Sequence, residues 1–344
     1  MDLAGRSVWQ VAAGDNKRRY DDICLKYDIM MIGSGERGPF DEETYRDKKE
    51  STKKALRRFY CDVKPLDIVL LRLGSGKVLA VGEVAGDEAL HEEEFGDIDG
   101  WRLQHVRQVR WVTGGHEFAQ GTFGGRLSRV KKTEVLRWVH AFRFPVEART
   151  RPLCDLPADT GELSDEELGA LLVENGMSAN RVARLQATMA SLRPLVEWYG
   201  EDKKERPRRP SEHETITYLV VPLLFALGWS EKTVAIEWNN IDIALWDQVE
   251  TEQIQPTYVI EVKSLGKSVF APEGQAIGYA EDLDCERFFV TDGVRYACFG
   301  DGGGEYTPQS YLNITRLRNE YPVYDDKAGG RCGGAVDSLL SMAR

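Results

Sequence analysis

Short apolar runs separated by turns dominate the first 112 residues, and a single stretch among them has a helical pattern. The runs are rich in β-branched and aromatic residues, which favours strands. The helical stretch, residues 41–60, is basic, with seven Lys or Arg against five Asp or Glu. One short helix among several strands predicts a small barrel or a curled sheet. The predicted strands lie at 6–13, 27–32, 67–84 and 106–112, and the third range is a hairpin with a Gly-Ser-Gly turn at 74–76.

Helical patterns take over in the middle of the chain. Residues 150–157 are polar and proline-spaced, and we interpret them as a linker. Ser164 and Glu167 have the spacing of a capping box, and a helical pattern continues from there to Tyr199. The charged run at 202–210 ends this pattern, either as a solvated hinge or as a strip that binds phosphate. The predicted domains are 1–150, a helical linker at 151–210, and 211–344.

After Pro210 the order of the patterns becomes informative. Apolar residues recur at helical spacing from Ile216 to Leu227, and strand patterns follow in TVAIEW, NIDIALWD and TYVIEVKSL. An amphipathic helix at 272–284 precedes two more strand patterns, RFFVTD and VRYACFG. The element order is therefore αβββαβ with a further strand at the end. Together the two halves predict a two-domain chain of the α+β or α/β class.

The composition is that of a globular protein with more than one core. At 344 residues the chain exceeds what one small core organises, and 42% of its residues are apolar. It has no apolar run long enough to cross a bilayer and no signal-peptide pattern, so we expect a cytoplasmic protein without a membrane partner. Its six cysteines include no C-x-x-C pair, which argues against a disulfide framework and against a structural zinc site.

The net charge of −11 is unfavourable for a protein that binds nucleic acid, since phosphate contacts require Lys and Arg. The charge is unevenly distributed, however. Residues 1–150 contain 26 basic and 24 acidic residues, and the rest of the chain contains 19 and 32. Charge alone therefore neither supports nor excludes nucleic acid as a partner.

Three charged residues lie within apolar strands of the second domain. Asp242 lies between two isoleucines, so strand alternation directs its carboxylate away from the face that the isoleucines bury. Glu261 and Lys263 are two residues apart in the next strand and project from one face. Two carboxylates on adjacent strands can share a divalent metal, and hard oxygen ligands favour Mg²⁺, with Mn²⁺ as a substitute. Such an ion would polarise a phosphoryl oxygen and activate water, while Lys263 positions that water or offsets developing negative charge.

An ordinary ion pair at a strand edge is the alternative for these residues. Charged residues within apolar strands are costly unless they are paired or bind metal, so three of them on consecutive strands favour a site. The preceding helix adds a fourth candidate. Glu212 lies on the helix face that meets the sheet, whereas Glu214 is turned about 200° away, toward solvent. Glu212 is predicted as a further metal or water contact, or else as an acid that interacts with the helix dipole.

Residues 211–300 resemble the PD-(D/E)XK nuclease domain found at the N-terminus of type I restriction motor subunits. The resemblance implies a magnesium-dependent endonuclease that cleaves phosphodiester bonds. It also implies that Gln275 and Tyr279 lie near the substrate backbone or the active-site water, with simple packing of their helix on the sheet as the alternative. The matching residues are Glu212, Thr215, Pro222, Ala226-Leu227-Gly228-Trp229, Ile241-Asp242-Ile243-Ala244, Ile260-Glu261-Val262-Lys263, Gln275, Tyr279 and the closing segment 289–296.

Residues 8–112 resemble the EVE-like branch of the PUA-superfamily β-barrels, which is seen at the front of some Mcr-type restriction ATPases. Such domains bind nucleic acid, several by holding a flipped base in an aromatic pocket. The chain departs from the family at Ser34, where relatives have the tryptophan of G-W-D-E, and this counts against recognition of a modified base. The candidate base- or ligand-recognition residues are Trp9, Tyr27, Phe40 and Trp111, and a core position is the alternative for each. The matching residues are Trp9, Ala12-Ala13-Gly14, Tyr27-Asp28-Ile29, Ile32-Gly33, Leu66-Asp67-Ile68-Val69, Gly82-Glu83-Val84 and 106–111.

These observations predict a restriction-type enzyme of prokaryotic defence, in which the barrel selects nucleic acid and the second domain cuts it. Double-stranded DNA is the expected partner, and cutting both strands with one site per chain would require a homodimer. The sequence has no G-x-x-x-x-G-K-[ST] motif, so an ATPase motor would be another protein. Two alternatives stay open. One is an effector nuclease activated by a small nucleotide or other ligand in the barrel, and the other is a non-catalytic nucleic-acid-binding protein on a nuclease fold.

Overall fold

The computed structural model divides the chain into two compact units, Met1–Asp159 and Thr160–Arg344. Both units combine helices with a β-sheet, as the predicted fold class requires. Most of the predicted hinge at 202–210 lies outside the described residues. The structure describes residues 5–14, 18–200, 209–247, 255–271, 273–301, 305–326 and 329–344, with the backbone alone for 273, 275 and 301.

A seven-stranded sheet forms the first unit. Its strands are β1 (Val8–Ala12), β2 (Ile29–Ile32), β3 (Ile68–Leu73), β4 (Lys77–Val84), β5 (Leu90–His91), β6 (His105–Glu117) and β7 (Leu127–Arg129). They are ordered β2-β6-β4-β3-β1-β7, and β5 also pairs with β6. β1 and β3 are parallel, while the other pairs are antiparallel. β2 lies at one edge of the sheet and β1 lies next to the other edge, yet the two strands contact each other. The sheet is therefore curled, which confirms the expectation of a curled sheet.

The first unit has more helix than its sequence pattern predicts. Of the predicted helix at 41–60, only the last part is helical, and it continues as a π-helical turn over Arg58–Asp62. Of the three described α-helices that were not predicted, one lies between β1 and β2 and two follow β7, and short segments of this kind give weak patterns. The four α-helices of the described residues in this unit are α1 (Asp21–Lys26), α2 (Glu50–Arg57), α3 (Thr133–Ala141) and α4 (Val146–Thr150).

The second unit begins with two helices and continues with the predicted αβββαβ order. The helix predicted after Pro210 consists of two α-helices, Glu212–Thr215 and Val221–Ala226, joined by a π-helical turn over Ile216–Val220. A last strand and a last helix were not predicted. The helices are α5 (Asp165–Glu174), α6 (Ala179–Gly200), α7 (Glu212–Thr215), α8 (Val221–Ala226), α9 (Glu273–Asp282) and α10 (Ala335–Met342). The strands are β8 (Val234–Trp238), β9 (Ile241–Leu245), β10 (Tyr258–Val262), β11 (Arg287–Thr291), β12 (Arg295–Asp301) and β13 (Tyr306–Asn313).

The six strands of the second unit follow the order β13-β12-β11-β10-β9-β8. β10 and β11 are parallel and are connected through α9, while the other neighbours are antiparallel. Each face of this sheet has its own apolar cluster. The larger cluster includes side chains from α5, α6, α8 and α10, and the smaller one includes Ala276 and Ala280 of α9. The sheet is therefore covered by helices on both faces.

The predicted helical linker at 151–210 is not a separate element. Leu168 and Leu172 of α5 and Leu185 and Met189 of α6 are fully buried in the same cluster as Leu223 of α8. The division between the units thus falls at residue 159, so the predicted boundaries at 150 and 210 need correction. A helical pattern shows that a helix has a buried face, but it does not show which core buries that face. Among the described residues, no helix is both long enough and apolar enough to span a membrane.

Candidate functional site

Asp242 and Glu261 lie on neighbouring antiparallel strands of the second unit. β9 and β10 pair with Ile243 opposite Ile260, so one further step along this register brings Asp242 to Glu261. The Oδ2 atom of Asp242 accepts a hydrogen bond of 2.7 Å from the backbone N–H of Val262. Asp242 is half-buried, and Glu261 is only 3% exposed. The two carboxylates are therefore held together in a partly desolvated place.

The alternation around Asp242 differs from the simple prediction. Ile243 belongs to the larger apolar cluster, but Ile241 belongs to the smaller one on the other face. The departure lies next to the β8–β9 turn, where Asn239 and Asn240 have φ values of +49° and +67°. Such a turn twists the strand start, so regular period-two alternation begins only after it.

Lys263 directly follows β10 and completes the group. Its Nζ donates a hydrogen bond to Oε1 of Glu261, and its backbone N–H donates to the carbonyl of Thr291 at 2.7 Å. The side chain of Lys263 remains 23% exposed. The predicted same-face projection of Glu261 and Lys263 is thus present, and the ammonium can reach an incoming anion.

Glu212 reaches the site from α7. The hydroxyl of Ser264, the residue after Lys263, donates to Oε1 of Glu212 at 3.5 Å, and Glu212 is exposed. Its neighbour Glu214 does not simply face solvent, as the helical angle suggested. Glu214 forms a capping box in which its carboxylate accepts from the N–H of Ser211 at 2.8 Å and its own N–H donates to the Ser211 hydroxyl. Capping thus occupies Glu214 and leaves Glu212 beside the site.

Burial and neighbouring negative charges raise the pKa values of both strand carboxylates. For Asp242, burial raises the pKa, the N–H of Val262 and the charge of Lys263 oppose this, and the charges of Glu212 and Glu237 add to it. For Glu261, burial again raises the pKa, the hydrogen bond from Lys263 lowers it, and the charges of Asp242 and Glu212 raise it. Both carboxylates would therefore gain from a nearby positive charge.

Lys263 has the opposite balance. Burial acts to lower its pKa, but the hydrogen bond to Glu261 and the charges of Glu261, Glu212 and Asp242 outweigh burial and raise the pKa. Lys263 is consequently a persistent cation at neutral pH. One ammonium faces three carboxylates, so the site retains excess negative charge.

A rigid loop supports the site from the end of β11. Asp292 is fully buried and accepts hydrogen bonds from the N–H of Gly266 at 2.9 Å and from the N–H of Arg295 at 2.8 Å. The guanidinium of Arg295 in turn donates to the carbonyl of Lys267 at 2.6 Å. The loop that carries Ser264 is therefore fixed to the β11–β12 turn by buried, charge-assisted bonds.

Gly293 in the same turn explains how closely α7 approaches the sheet. Its φ is +83°, and a Cβ added there would lie 2.7 Å from Cβ of Leu219 and 2.9 Å from Cγ2 of Thr215. Only glycine combines this conformation with that contact. The turn thus docks α7, and with it Glu212, against the end of β11.

The carboxylates of the site could supply only part of the ligands of a hard divalent cation. Among the described residues, no group of three or more His, Cys, Asp or Glu side chains is arranged to hold a metal ion. The structure therefore does not unite Glu212 with Asp242 and Glu261 in one ligand cluster, because Glu212 lies on the solvent-exposed helix start. Asp242 and Glu261, two carboxylates with raised pKa values, remain as candidate ligands. That number suits Mg²⁺, which commonly keeps several waters and one or two protein carboxylates.

The remaining predicted catalytic residues lie on α9. The side chain of Gln275 lies outside the described residues. Tyr279 is partly buried and packs against the smaller apolar cluster, which includes Val259 and Phe288. This position agrees with the packing alternative for Tyr279. The sequence did not single out two further residues that influence the site. Ser264 contacts Glu212, and the charge of Glu237 raises the pKa of Asp242.

The first unit contains a pocket of about 550 Å³ between the ends of β1 and β2. Aromatic and apolar side chains form its walls. The Trp101 and Tyr20 rings meet edge to face at 5.4 Å, and the Arg18 guanidinium lies 5.0 Å from the Trp101 ring. The pocket has a size usual for small-molecule sites. Its lining residues are Ala12, Gly14, Tyr20, Met31, Ile32, Gly33, Ser34, Glu36, Gly100, Trp101, Arg102, Leu103 and Arg126.

A carboxylate lies on the polar side of this pocket. Lys48 donates to Oε1 of Glu36, whereas Oε2 of Glu36 is buried without a hydrogen-bond partner. Burial acts to raise the pKa of Glu36, but the hydrogen bond from Lys48, a backbone hydrogen bond and the charges of Lys48 and Arg102 together outweigh it and hold the pKa below its usual value. A buried ionised oxygen without a partner is costly and is suited to a donor group on a ligand.

The segment 33–36 that carries Glu36 is fixed from several directions. Gly35 donates its N–H to the carbonyl of Arg102 at 3.2 Å, and Arg126 donates to the carbonyl of Gly33 at 3.1 Å. Added Cβ atoms would lie 2.8 Å from the Arg102 carbonyl at Gly33 and 2.5 Å from the Gln104 side chain at Gly35. The glycines therefore permit a close-packed pocket wall.

None of the four aromatic residues predicted for recognition is among the lining residues of this pocket. Trp9 and Trp111 are buried in the sheet, where their indole N–H groups donate to Asp67 at 2.8 Å and to the Ile29 carbonyl at 3.0 Å. Tyr27 packs edge to face on Phe95, and Phe40 packs between Tyr45 and Tyr60. The structure does not bring the four together. The pocket aromatics are instead Tyr20 and Trp101, which lie outside the predicted strands and follow no periodic pattern.

Part of the first unit matches a known family model. A family described as a domain of unknown function, DUF8426, matches residues 9–133. The match lies within the first unit and covers its curled sheet. No curated protein matches the chain.

Proposed function

We propose that the second unit is a Mg²⁺-dependent nuclease of the PD-(D/E)XK class and that the first unit recognises its nucleic-acid target. The observation that carries the proposal is the pairing of Asp242 with Glu261 across β9 and β10, with Lys263 bonded to Glu261. The element order αβββαβ agrees with the resemblance of residues 211–300 to that class. An uncompensated buried charge is costly, so two carboxylates that share one ammonium in a half-buried place favour binding of a further cation.

Each residue of the site has a defined part in the proposed reaction. Asp242 and Glu261 would hold the cation, and a cation bound there would supply Lewis-acid charge. Lys263 offsets the negative charge that develops on the phosphate, because its ammonium is partly exposed and charged. Glu212, held by Ser264, accepts a hydrogen bond from the water that approaches the phosphate.

Cleavage assays with alanine variants test this proposal. The full chain should cut DNA with Mg²⁺ or Mn²⁺ and not with EDTA, and Asp242→Ala or Glu261→Ala should abolish cutting while DNA binding persists. Glu281→Ala, which removes an exposed carboxylate on α9, is the matched control and should cut normally. Wild-type cleavage by either site variant would refute the assignment. Intact binding without any cleavage by the wild type would favour the non-catalytic alternative.

For the first unit, we propose that the pocket beside Trp101 takes a flat heteroaromatic ring with an N–H donor. The ring would contact Trp101 and Tyr20, and its donor would satisfy Oε2 of Glu36. Arg102 and Arg126 at the exposed mouth suit a phosphate attached to such a ring. A base in a nucleic-acid strand has this chemistry, and so does a free nucleotide.

A free nucleotide leads to the second candidate, an effector nuclease that a small ligand activates. Oε2 of Glu36 has no hydrogen-bond partner in the structure. A free nucleotide could donate a hydrogen bond to this oxygen as well as a base in a nucleic-acid strand could, so the oxygen supports both candidates equally. Thermal shifts and cleavage rates measured with mononucleotides and cyclic nucleotides distinguish the two. Stabilisation together with faster cleavage would support the effector, whereas binding of oligonucleotides alone would support target recognition.

A further inference from the structure

A strongly basic segment follows the curled sheet of the first unit. Residues 126–151 contain eight Lys or Arg and two acidic residues, a net charge of +6 in a chain of net charge −11. The segment comprises β7, α3 and α4. Its basic side chains are exposed except for that of Arg151, which is partly buried. A local excess of this size is expected where a protein meets a polyanion.

Six cations of this segment have no acidic partner among the residues that the structure describes. Arg126 and Lys132 donate to the backbone carbonyls of Gly33 and Gly121. The other four are Arg129, Lys131, Arg137 and Arg143. In contrast, Arg149 lies 3.4 Å from Glu83, and Arg151 pairs with Asp28. The mutual repulsion of the four cations is therefore not relieved within the unit. An anionic partner would relieve it.

The helix that carries Arg137 is held in a fixed position. Val135 and Val139 are fully buried in an apolar cluster with Val8 and Ile68. At about 100° per residue, Arg137 then projects from the opposite side of α3. Arg129 and Lys131 precede the helix and Arg143 follows it, so the cations extend along its whole length.

An aromatic pair adjoins these cations. The exposed His116 ring stacks on Trp138 of α3, with centroids 5.1 Å apart and planes inclined by 24°. Phe118 packs edge to face on both rings, at 4.4 and 5.6 Å. Trp138 thus supports one face of the imidazole, and the His116 side chain remains exposed to an incoming ring. Exposed rings beside cations are typical of surfaces that stack unpaired bases.

We infer that the α3 surface, defined as Arg129, Lys131, Arg137 and Arg143 with the His116–Trp138 pair, binds a single-stranded stretch of nucleic acid. The cations contact successive phosphates, and an unpaired base stacks on His116. This inference rests on the proposed function, because it assigns a strand-binding surface to the same substrate. A membrane is the less suitable partner, since the apolar side chains Val135 and Val139 of α3 are buried within the unit.

Fluorescence anisotropy of the full chain without divalent metal tests the inference. The probe is a short labelled single-stranded oligonucleotide, titrated at several salt concentrations. Reversal of Arg129, Lys131, Arg137 and Arg143 to Glu should raise the Kd about tenfold or more and should reduce the salt slope by about 0.7 for each phosphate that is no longer neutralised. His116→Ala should raise the Kd about fivefold or more while the slope stays unchanged, because stacking releases no counterions.

A second set of reversals controls for net charge. Arg46, Lys49, Lys54 and Lys64 are also exposed cations of the first unit, and their reversal to Glu changes the net charge equally. The control set should leave the Kd unchanged, with the fold of every variant checked by circular dichroism. Equal weakening by both sets would overturn the inference, as would binding to phosphatidylserine vesicles but not to the oligonucleotide.

The two proposals fail separately. If the reversals weaken oligonucleotide binding but the wild type never cleaves DNA, the nuclease assignment fails and the α3 surface stands. If the wild type cleaves DNA and the reversals leave binding unchanged, the α3 surface fails and the nuclease assignment stands.

Discussion

At the scale of single residues, Asp242 has a charge that burial and neighbouring carboxylates oppose. Its pKa is raised in the folded chain, so its ionised form destabilises the fold above that pKa and has no such effect below the ordinary Asp value of about 3.9. Asp242→Asn should therefore raise the Tm near neutral pH without metal, and the gain should shrink as the pH falls. Differential scanning calorimetry across the pH range checks this, with exposed Glu231→Gln as the control. A gain that is independent of pH would contradict it.

If Asp242 binds Mg²⁺, the Tm should depend on the Mg²⁺ concentration. A cation that binds the folded chain and not the unfolded chain stabilises it by mass action. Mg²⁺ should raise the Tm of the wild type in proportion to the logarithm of its concentration, and Asp242→Asn should show little of this rise. An equal rise in both proteins would show that Mg²⁺ binds elsewhere.

Lys263 is expected to act on rate and not on metal affinity. Lys263→Met keeps the length of the side chain but removes the ammonium that Glu261 holds. The maximal cleavage rate should fall about 100-fold, while the Mg²⁺ concentration at half-maximal rate changes little. Lys232→Met, at an exposed position outside the site, is the matched control. A change confined to the Mg²⁺ requirement would assign Lys263 a role in the metal site instead.

The sequence predicted those residues whose placement depends on local geometry. Glu261 and Lys263 share a face because strand side chains alternate, and Asp242 meets Glu261 because their strands are neighbours. Tyr20 and Trp101 could not be predicted in this way. They meet across 81 positions of sequence in segments between the strands, and such contacts depend on how the whole sheet curls.

At the scale of elements, the β11–β12 turn holds α7 against the sheet through Gly293. Gly293→Ala adds a methyl group next to Leu219 and Thr215 at a φ of +83°. The substitution should destabilise the fold by about 1–3 kcal/mol, and it should lower cleavage further by displacing Glu212. Gly278→Ala in α9 has nothing within 4 Å of the added Cβ and should be neutral or stabilising. Equal effects of the two changes on chemical denaturation would contradict this account of the turn.

The order of helices and strands was easier to predict from the sequence than the core to which each helix belongs. The αβββαβ order follows from alternating periods of apolar residues, and the Ser164–Glu167 capping box marks the start of α5 as expected. α5 and α6 were nevertheless assigned to a linker, because their partners in the core lie beyond residue 210. The apolar pattern of a segment shows whether the segment is a helix or a strand. It does not show which other elements of the unit the segment packs against.

At the scale of the whole molecule, one proposed site per chain limits what the protein can do to a duplex. A single PD-(D/E)XK site cuts one strand, so double-strand breaks should require two chains, most simply related by two-fold symmetry. Double-strand cleavage should rise more steeply than linearly with protein concentration, while nicking rises linearly. Plasmid cleavage followed over a concentration series checks this. Linear production of double-strand breaks by a chain that sediments as a monomer would contradict it.

The last prediction concerns where the second unit begins. Residues 160–344 include α5 and α6, whose Leu168, Leu172, Leu185 and Met189 are fully buried in the cluster beneath the proposed site. Residues 211–344 contain all the proposed catalytic residues but lack these four side chains, and emptying a core position costs about 2–5 kcal/mol for each large side chain.

The longer fragment should therefore unfold cooperatively and retain Mg²⁺-dependent cleavage, whereas the shorter one should be unfolded or aggregated. Residues 1–159 on their own should fold and bind the target without cutting it. Circular dichroism melts and cleavage assays of the three fragments separate these outcomes. A stable and active 211–344 fragment would show that α5 and α6 are a linker after all, because only a core that closes without them could fold alone.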